Sequence, residues 1–311
     1  ASWGGGGVAN VAWGAGATAS VGRDDSAADR LAWPLWITAT ADLGGGVYNS
    51  ASQGAEATFV ARSWLMSCVA TSAGGGVYNL ADGDGSSARV APPYEPAKGG
   101  SLLVTSNSAG FGGGVFSQSS GGGSAAVDLF AAYVSTTSAT DSGGAVYSQA
   151  SGAGSTSSVS FVGSLASVFA GSFGAGIMST AYDGAAATTY ARADIRSATA
   201  GRGGAFMSYA YGAGSIVGLT VEDSTLISYT SAVDASAGGG AAASTVIRRT
   251  SIGLAGLGRR PAGVLNFADG AGSTAVLDVV GSTFVGLAGE SGAAIRQGAS
   301  AGGAASLQVS G

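Results

Sequence analysis

The chain has 311 residues, 57 of them Gly, with 46% apolar and 10% charged residues and a formal charge of −5. An apolar content this high with so little charge excludes a disordered polar chain, and an acidic balance in which Lys98 is the single Lys excludes a nucleic-acid surface spread along the sequence. There is no His and one Cys, which removes the commonest general base and transition-metal ligand together with any internal disulfide framework.

Taken from the start, the chain opens on Ala1 without the charged segment and apolar stretch of a signal peptide. It begins and ends within a repeating pattern and reads as a segment of a longer protein. The first copy of that pattern is Gly5-Gly6-Gly7-Val8. Residues 9–46 are expected to form an irregular coil, with Arg23, Asp24, Asp25, Asp29 and Arg30 close together. All five Trp (Trp3, Trp13, Trp33, Trp36 and Trp64) fall in the first 64 positions, as a binding surface or a locally wider core.

From residue 44 the phrase is clear: Gly44-Gly45-Gly46-Val47-Tyr48-Asn49, then Gly74-Gly75-Gly76-Val77-Tyr78-Asn79. It returns before Val115, Val146, Ile177 and Phe206, and more faintly as Gly238-Gly239-Gly240-Ala241, Pro261-Ala262-Gly263-Val264 and Gly292-Ala293-Ala294-Ile295. The steps between markers are 39, 30, 38, 31, 31, 29, 35, 23 and 31 residues, the signature of a repeat array. After each triplet come an apolar-aromatic pair, a Gly/Ser/Ala turn and an alternating stretch such as Ala57–Ala61, Ser158–Val162 or Thr274–Val279. A third apolar stretch follows, as in Ser224-Thr225-Leu226, Thr250-Ser251-Ile252 and Ser282-Thr283-Phe284. Period-2 segments of this length bounded by Gly and Ser are strands. Three short strands per unit predict the coil of a parallel β-helix: an all-β solenoid of about ten coils of roughly 30 residues, a single domain over 1–311. Amphipathic helical runs, four-strand propeller blades and a Gly at every third place are all missing. The Pro-containing stretch Ala91–Lys98 predicts a surface loop at about 85–100.

In such a stack the small triplet lets coils approach closely, the next residue points into the core, and the one after it points outward. The outward row Tyr48, Tyr78, Phe116, Tyr147, Met178 and Met207 is therefore the candidate contact surface. Cys68, in Trp64-Leu65-Met66-Ser67-Cys68-Val69, reads as a small buried hydrophobe. Arg248, Arg249, Arg259 and Arg260 read as solvated turn residues, with an anion contact as the alternative. Asp82-Gly83-Asp84-Gly85 reads as a turn that resembles the start of a calcium loop without its remaining carboxylates. The glycine phrases lack the strand-to-helix setting of a phosphate loop. No Asn is followed by Ser or Thr two places on, and the abundant Ser and Thr leave O-glycosylation open. No run of about 18 apolar residues is present to span a membrane.

Gly143-Gly144-Ala145-Val146-Tyr147 and Gly292-Ala293-Ala294-Ile295 resemble the Gly-Gly-Ala-Ile phrase of the chlamydial polymorphic outer-membrane proteins and related right-handed β-helix surface proteins. Ser282-Thr283-Phe284 stands where that family has its Ser-Thr-Phe stretch. The companion Phe-x-x-Asn phrase is replaced by Phe284-Val285-Gly286-Leu287. The resemblance implies a right-handed coil and an extracellular or cell-surface scaffold, with adhesion or assembly as its task. The expected partners are other copies or surface proteins, with glycans as a further class; no cofactor or metal is expected. Two other readings are a polysaccharide-binding or -cleaving β-helix, which needs converging carboxylates for acid/base work, and an ice-binding face, which needs a ranked array of Thr.

Overall fold

The computed structural model describes residues 6–22, 35–60, 63–91, 102–254, 263–285 and 294–311. It is an all-β parallel solenoid, and every strand pairs with its counterpart one coil away. Face A is a 10-stranded sheet that starts at Val8–Trp13 and ends at Ile295–Ser300. Its ladder runs Val8, Val47, Val77, Val115, Val146, Ile177, Phe206, Val233, Val264 and Ile295. Face B begins at Thr18–Gly22 and ends at Ala304–Ser310. Face C, including Leu35–Ile37, Ser63–Met66, Leu103–Thr105, Thr225–Ser228 and Thr283–Val285, joins face B in one 16-stranded sheet, because long strands such as Ala186–Ala198 run through the bend between them.

Two expectations need correction. The Gly238–Gly240 triplet is not a copy of the Gly44 phrase: Val233 is the residue paired with Phe206 and Val264, and Gly239 and Gly240 form the turn after face A. Turns and coil contacts both demand glycine, so glycine runs alone do not distinguish them. In addition, the early coils have four strands rather than three. A 5-stranded face D, from Thr40–Leu43 to Phe169–Ala170, precedes face A there. The irregular coil 9–46 follows the general plan on both sides of residues 23–34, which lie outside the described residues. Of the loop expected at 85–100, Ser87–Ala91 is a strand of face B, and 92–100 lie outside the described residues.

The interior is divided into lanes because each inward position of face A meets its own copies above and below. The first lane, Val47, Val77, Val115, Val146 and Ile177, belongs to a wide apolar lobe with Phe59, Leu65, Leu129, Phe161 and Leu165. The third lane is alanine, as in Ala51, Ala81, Ala150, Ala181 and Ala210, and forms a narrow lobe beside the turn to face B. Between them runs a polar lane. Asn10 donates to Asn49 Oδ1 at 2.6 Å, Asn49 to Asn79 Oδ1 at 2.7 Å, and Asn79 to Ser117 Oγ at 3.2 Å. Each amide also reaches carbonyls across the interior; Asn49 Nδ2 lies 3.2 Å from the oxygens of Ala57 and Arg89. A buried amide needs such partners, and here they come from the opposite face, so the lane ties face A to face B.

The turns from face A to face B alternate strictly between two kinds. Coils 1, 3, 5, 7 and 9 place two glycines at positive φ around a middle residue: Gly14/Gly16, Gly83/Gly85, Gly152/Gly154, Gly212/Gly214 and Gly270/Gly272. Coils 2, 4, 6, 8 and 10 instead use two adjacent positive-φ residues: Gln53-Gly54, Gly121-Gly122, Asp183-Gly184, Gly239-Gly240 and Ala301-Gly302. From coil 3 on, the longer turns end in a buried Ser that accepts a hydrogen bond from the shorter turn of the preceding coil, whereas the first ends in Ala17. Gly54, Gly122, Gly184 and Gly240 each donate their N–H at 3.0 Å to Ser86, Ser155, Ser215 and Ser273. The same hydroxyls donate at 2.7 Å to the carbonyls of Asp82, Ser151, Tyr211 and Asp269. Coils 2 to 9 are thus latched in four pairs.

Candidate functional site

The outer side of face A carries the row expected to be a contact surface. The register places Tyr48, Tyr78, Phe116, Tyr147, Met178 and Met207 directly one above another. They leave the main core as expected, yet Tyr78 through Met207 retain only 4 to 6% exposure, and Tyr48 is half-buried. The row is a second core. Leu43, Ala73, Leu80, Phe173 and Tyr209 pack against it. Tyr48 and Tyr78 stack at 5.5 Å, Tyr78 and Phe116 at 5.4 Å, and Phe116 meets Tyr147 edge-on at 5.1 Å. Such contacts add to the area that aromatic rings bury.

The first glycine of each triplet makes this packing possible. At Gly143 a Cβ would lie 2.4 Å from Tyr147 Cβ, and at Gly174 one would lie 2.7 Å from Met178 Cβ; both residues have positive φ. The chain turns sharply there and lies flat on the row, which only glycine allows at low cost. Alternation along the strand reveals which side chains leave the main core. It does not reveal that the preceding segment folds over them.

What remains exposed on face A lies further along its strands. Tyr182 and Tyr211 occupy successive coils of one outward row, with Tyr209 in the neighbouring row. Tyr209 stacks on Tyr211 at 6.3 Å and meets Tyr182 at 6.1 Å, and Tyr211 is 51% exposed. Above the patch the buried row ends in a carboxylate, since Asp234 is paired in register with Met207. Arg202 grips it through two hydrogen bonds of 2.9 and 3.2 Å, and Ser236 donates a third at 2.9 Å. Burial nevertheless pushes the Asp234 carboxyl above its ordinary range, against the pull of Arg202.

The other singled-out residues have local partners. Cys68 is fully buried, its Sγ 3.3 Å from the Ile37 carbonyl oxygen, and desolvation raises the thiol pKa. Arg248 pairs with Glu222 at 3.1 Å and Arg249 with Asp223 at 2.7 Å; Arg259 and Arg260 lie outside the described residues. Asp82 and Asp84 belong to a longer turn, where Asp82 accepts a hydrogen bond from Ser120 at 2.6 Å. Among the described residues no group of three or more Cys, Asp or Glu is placed to enclose a metal ion, and no helix is long and apolar enough to cross a membrane.

No family model, no curated protein and no solved structure matches the chain.

Proposed function

We propose that this chain is a non-catalytic structural or adhesive scaffold, displayed outside the cell, that associates with other copies of itself or with surface partners. The observation that carries the reading is the cluster of Tyr182, Tyr209 and Tyr211 on the outer side of face A. Tyr211 crowns the tyrosine patch of face A. Patches of this kind mark interaction surfaces. Many carboxylates are occupied in ion pairs, as Asp128, Asp194, Glu222, Asp223 and Asp234 are with arginines, which favours a structural role over acid/base chemistry.

Sedimentation velocity over a concentration series tests this reading. Concentration-dependent association is expected in the parent chain, reduced by the double variant Tyr209→Ser/Tyr211→Ser. Monodisperse single rods at high concentration, together with cleavage of a polysaccharide, would overturn it.

A further inference from the structure

A shallow groove of about 330 Å³ crosses the outer side of face B at coils 4 to 7, lined by Asp128, Ser158, Ser160, Thr188, Tyr190 and Thr220, with Gly218 in its floor. Three coil spacings of about 4.8 Å give it a length of about 14 Å along the rod. Two rows border it in register: Ser158, Thr188 and Gly218, and Asp128, Ser160, Tyr190 and Thr220.

Gly218 is the informative residue. It lies inside the strand Ile216–Glu222, paired on both sides, where glycine weakens a sheet. Many glycines of this chain are demanded by positive φ or by a neighbouring backbone. At Gly218 a Cβ would meet only Thr188 Cγ2, at an ordinary 3.8 Å. Packing therefore tolerates a side chain there. Its absence leaves the groove open beside the Tyr190 ring, and close approach of a ligand is one of the reasons a strand carries glycine.

The lining selects the occupant. Four hydroxyls, each able to donate and accept, alternate with one half-exposed aromatic ring, the combination that matches the hydroxyls and apolar ring face of a sugar. Asp128 Oδ2 is held by Arg89 Nη2 at 2.7 Å and Nε at 3.0 Å, which leaves Oδ1 as an oriented acceptor and gives the pair no net charge with which to hold an anionic chain. Within coils 4 to 7 each coil offers a polar group to the groove, Asp128, then Ser158 and Ser160, then Thr188 and Tyr190, then Thr220. We infer that this groove binds a linear neutral polysaccharide, with a sugar ring seated over Gly218 against Tyr190 and its hydroxyls bonded by Ser158, Ser160, Thr188, Thr220 and Asp128. This function is independent of self-association.

Isothermal titration of the full chain with cellohexaose, xylohexaose and chitohexaose tests it, with oligogalacturonate as the anionic arm. At least one neutral hexasaccharide is expected to bind. Gly218→Thr is expected to weaken that binding about tenfold or more while leaving the melting midpoint unchanged or raised, since a β-branched residue suits the strand better than glycine. Tyr190→Ala is expected to weaken it similarly. Absence of binding by all three neutral sugars, binding by oligogalacturonate alone, or equal affinity in a folded Gly218→Thr variant would overturn the inference. Sedimentation of Gly218→Thr should match the parent chain; a change would tie the groove to association and overturn its independence.

Discussion

Asn49 reaches two main-chain carbonyls and one amide neighbour, and accepts from another, without leaving the interior. Asn49→Ala strands these groups in a dry core, and a loss of about 3 kcal/mol is expected by chemical denaturation, since each buried group left unpaired costs about 1–3 kcal/mol. The lane also has a defect. Ala235 is paired with both Ser208 and Asn266, and Ser208 Oγ and Asn266 Oδ1 lack hydrogen-bond partners. Ala235→Ser supplies a hydroxyl between them and is expected to stabilise the chain by about 1 kcal/mol, read as a rise in denaturation midpoint. Asp234 sets a pH dependence. Its folded value lies above 3.8, so its contribution to stability is fully present below 3.8 and is lost as pH rises through the folded value. In Asp234→Asn this slope disappears, and the stability of the variant relative to the parent should rise with pH across that window in urea titrations.

At the scale of the element, the serine latch is the distinctive feature of the turns. Ser215→Ala leaves the Gly184 N–H without its acceptor and is expected to cost about 1–2 kcal/mol, whereas Ala185→Ser in the shorter turn should give no gain in melting midpoint. Both turn types are written in the sequence: Gly152-Ala153-Gly154-Ser155 against Asp183-Gly184-Ala185. They are hard to separate by eye from the Gly44-type phrase, because both are short runs of small residues. Parallel strands, a period near thirty and a buried Cys68 were legible because alternation and spacing follow from strand geometry. Face D and the cover over Tyr78 and Tyr147 were not, because they depend on how one coil bends back on itself. Val233 was missed for a related reason: the residues before it, Thr230-Ser231-Ala232, contain no glycine at all.

For the whole molecule, alternating turns make two coils the natural unit. Removing residues 147–206 joins Val146 to Met207 and leaves a longer turn after the shorter one at Gly121-Gly122, so Ser215 can replace Ser155 as the acceptor for Gly122. Removing residues 147–177 instead sets two shorter turns side by side and leaves Gly122 unlatched. Thermal melts should show the first deletion retaining one cooperative transition and the second melting at a distinctly lower temperature. Stability in a stack is close to a sum of coil and neighbour terms, so the comparison isolates the neighbour term.

The latches also decide how the rod would yield to tension. Pulled along its axis, a parallel solenoid peels from an end, because its ladder hydrogen bonds lie along the line of force. Where Ser86, Ser155, Ser215 and Ser273 pin a coil to the one before it, that boundary resists more than the next. Extension under load should therefore proceed with alternating strong and weak ruptures, a sawtooth in which coils are released two at a time.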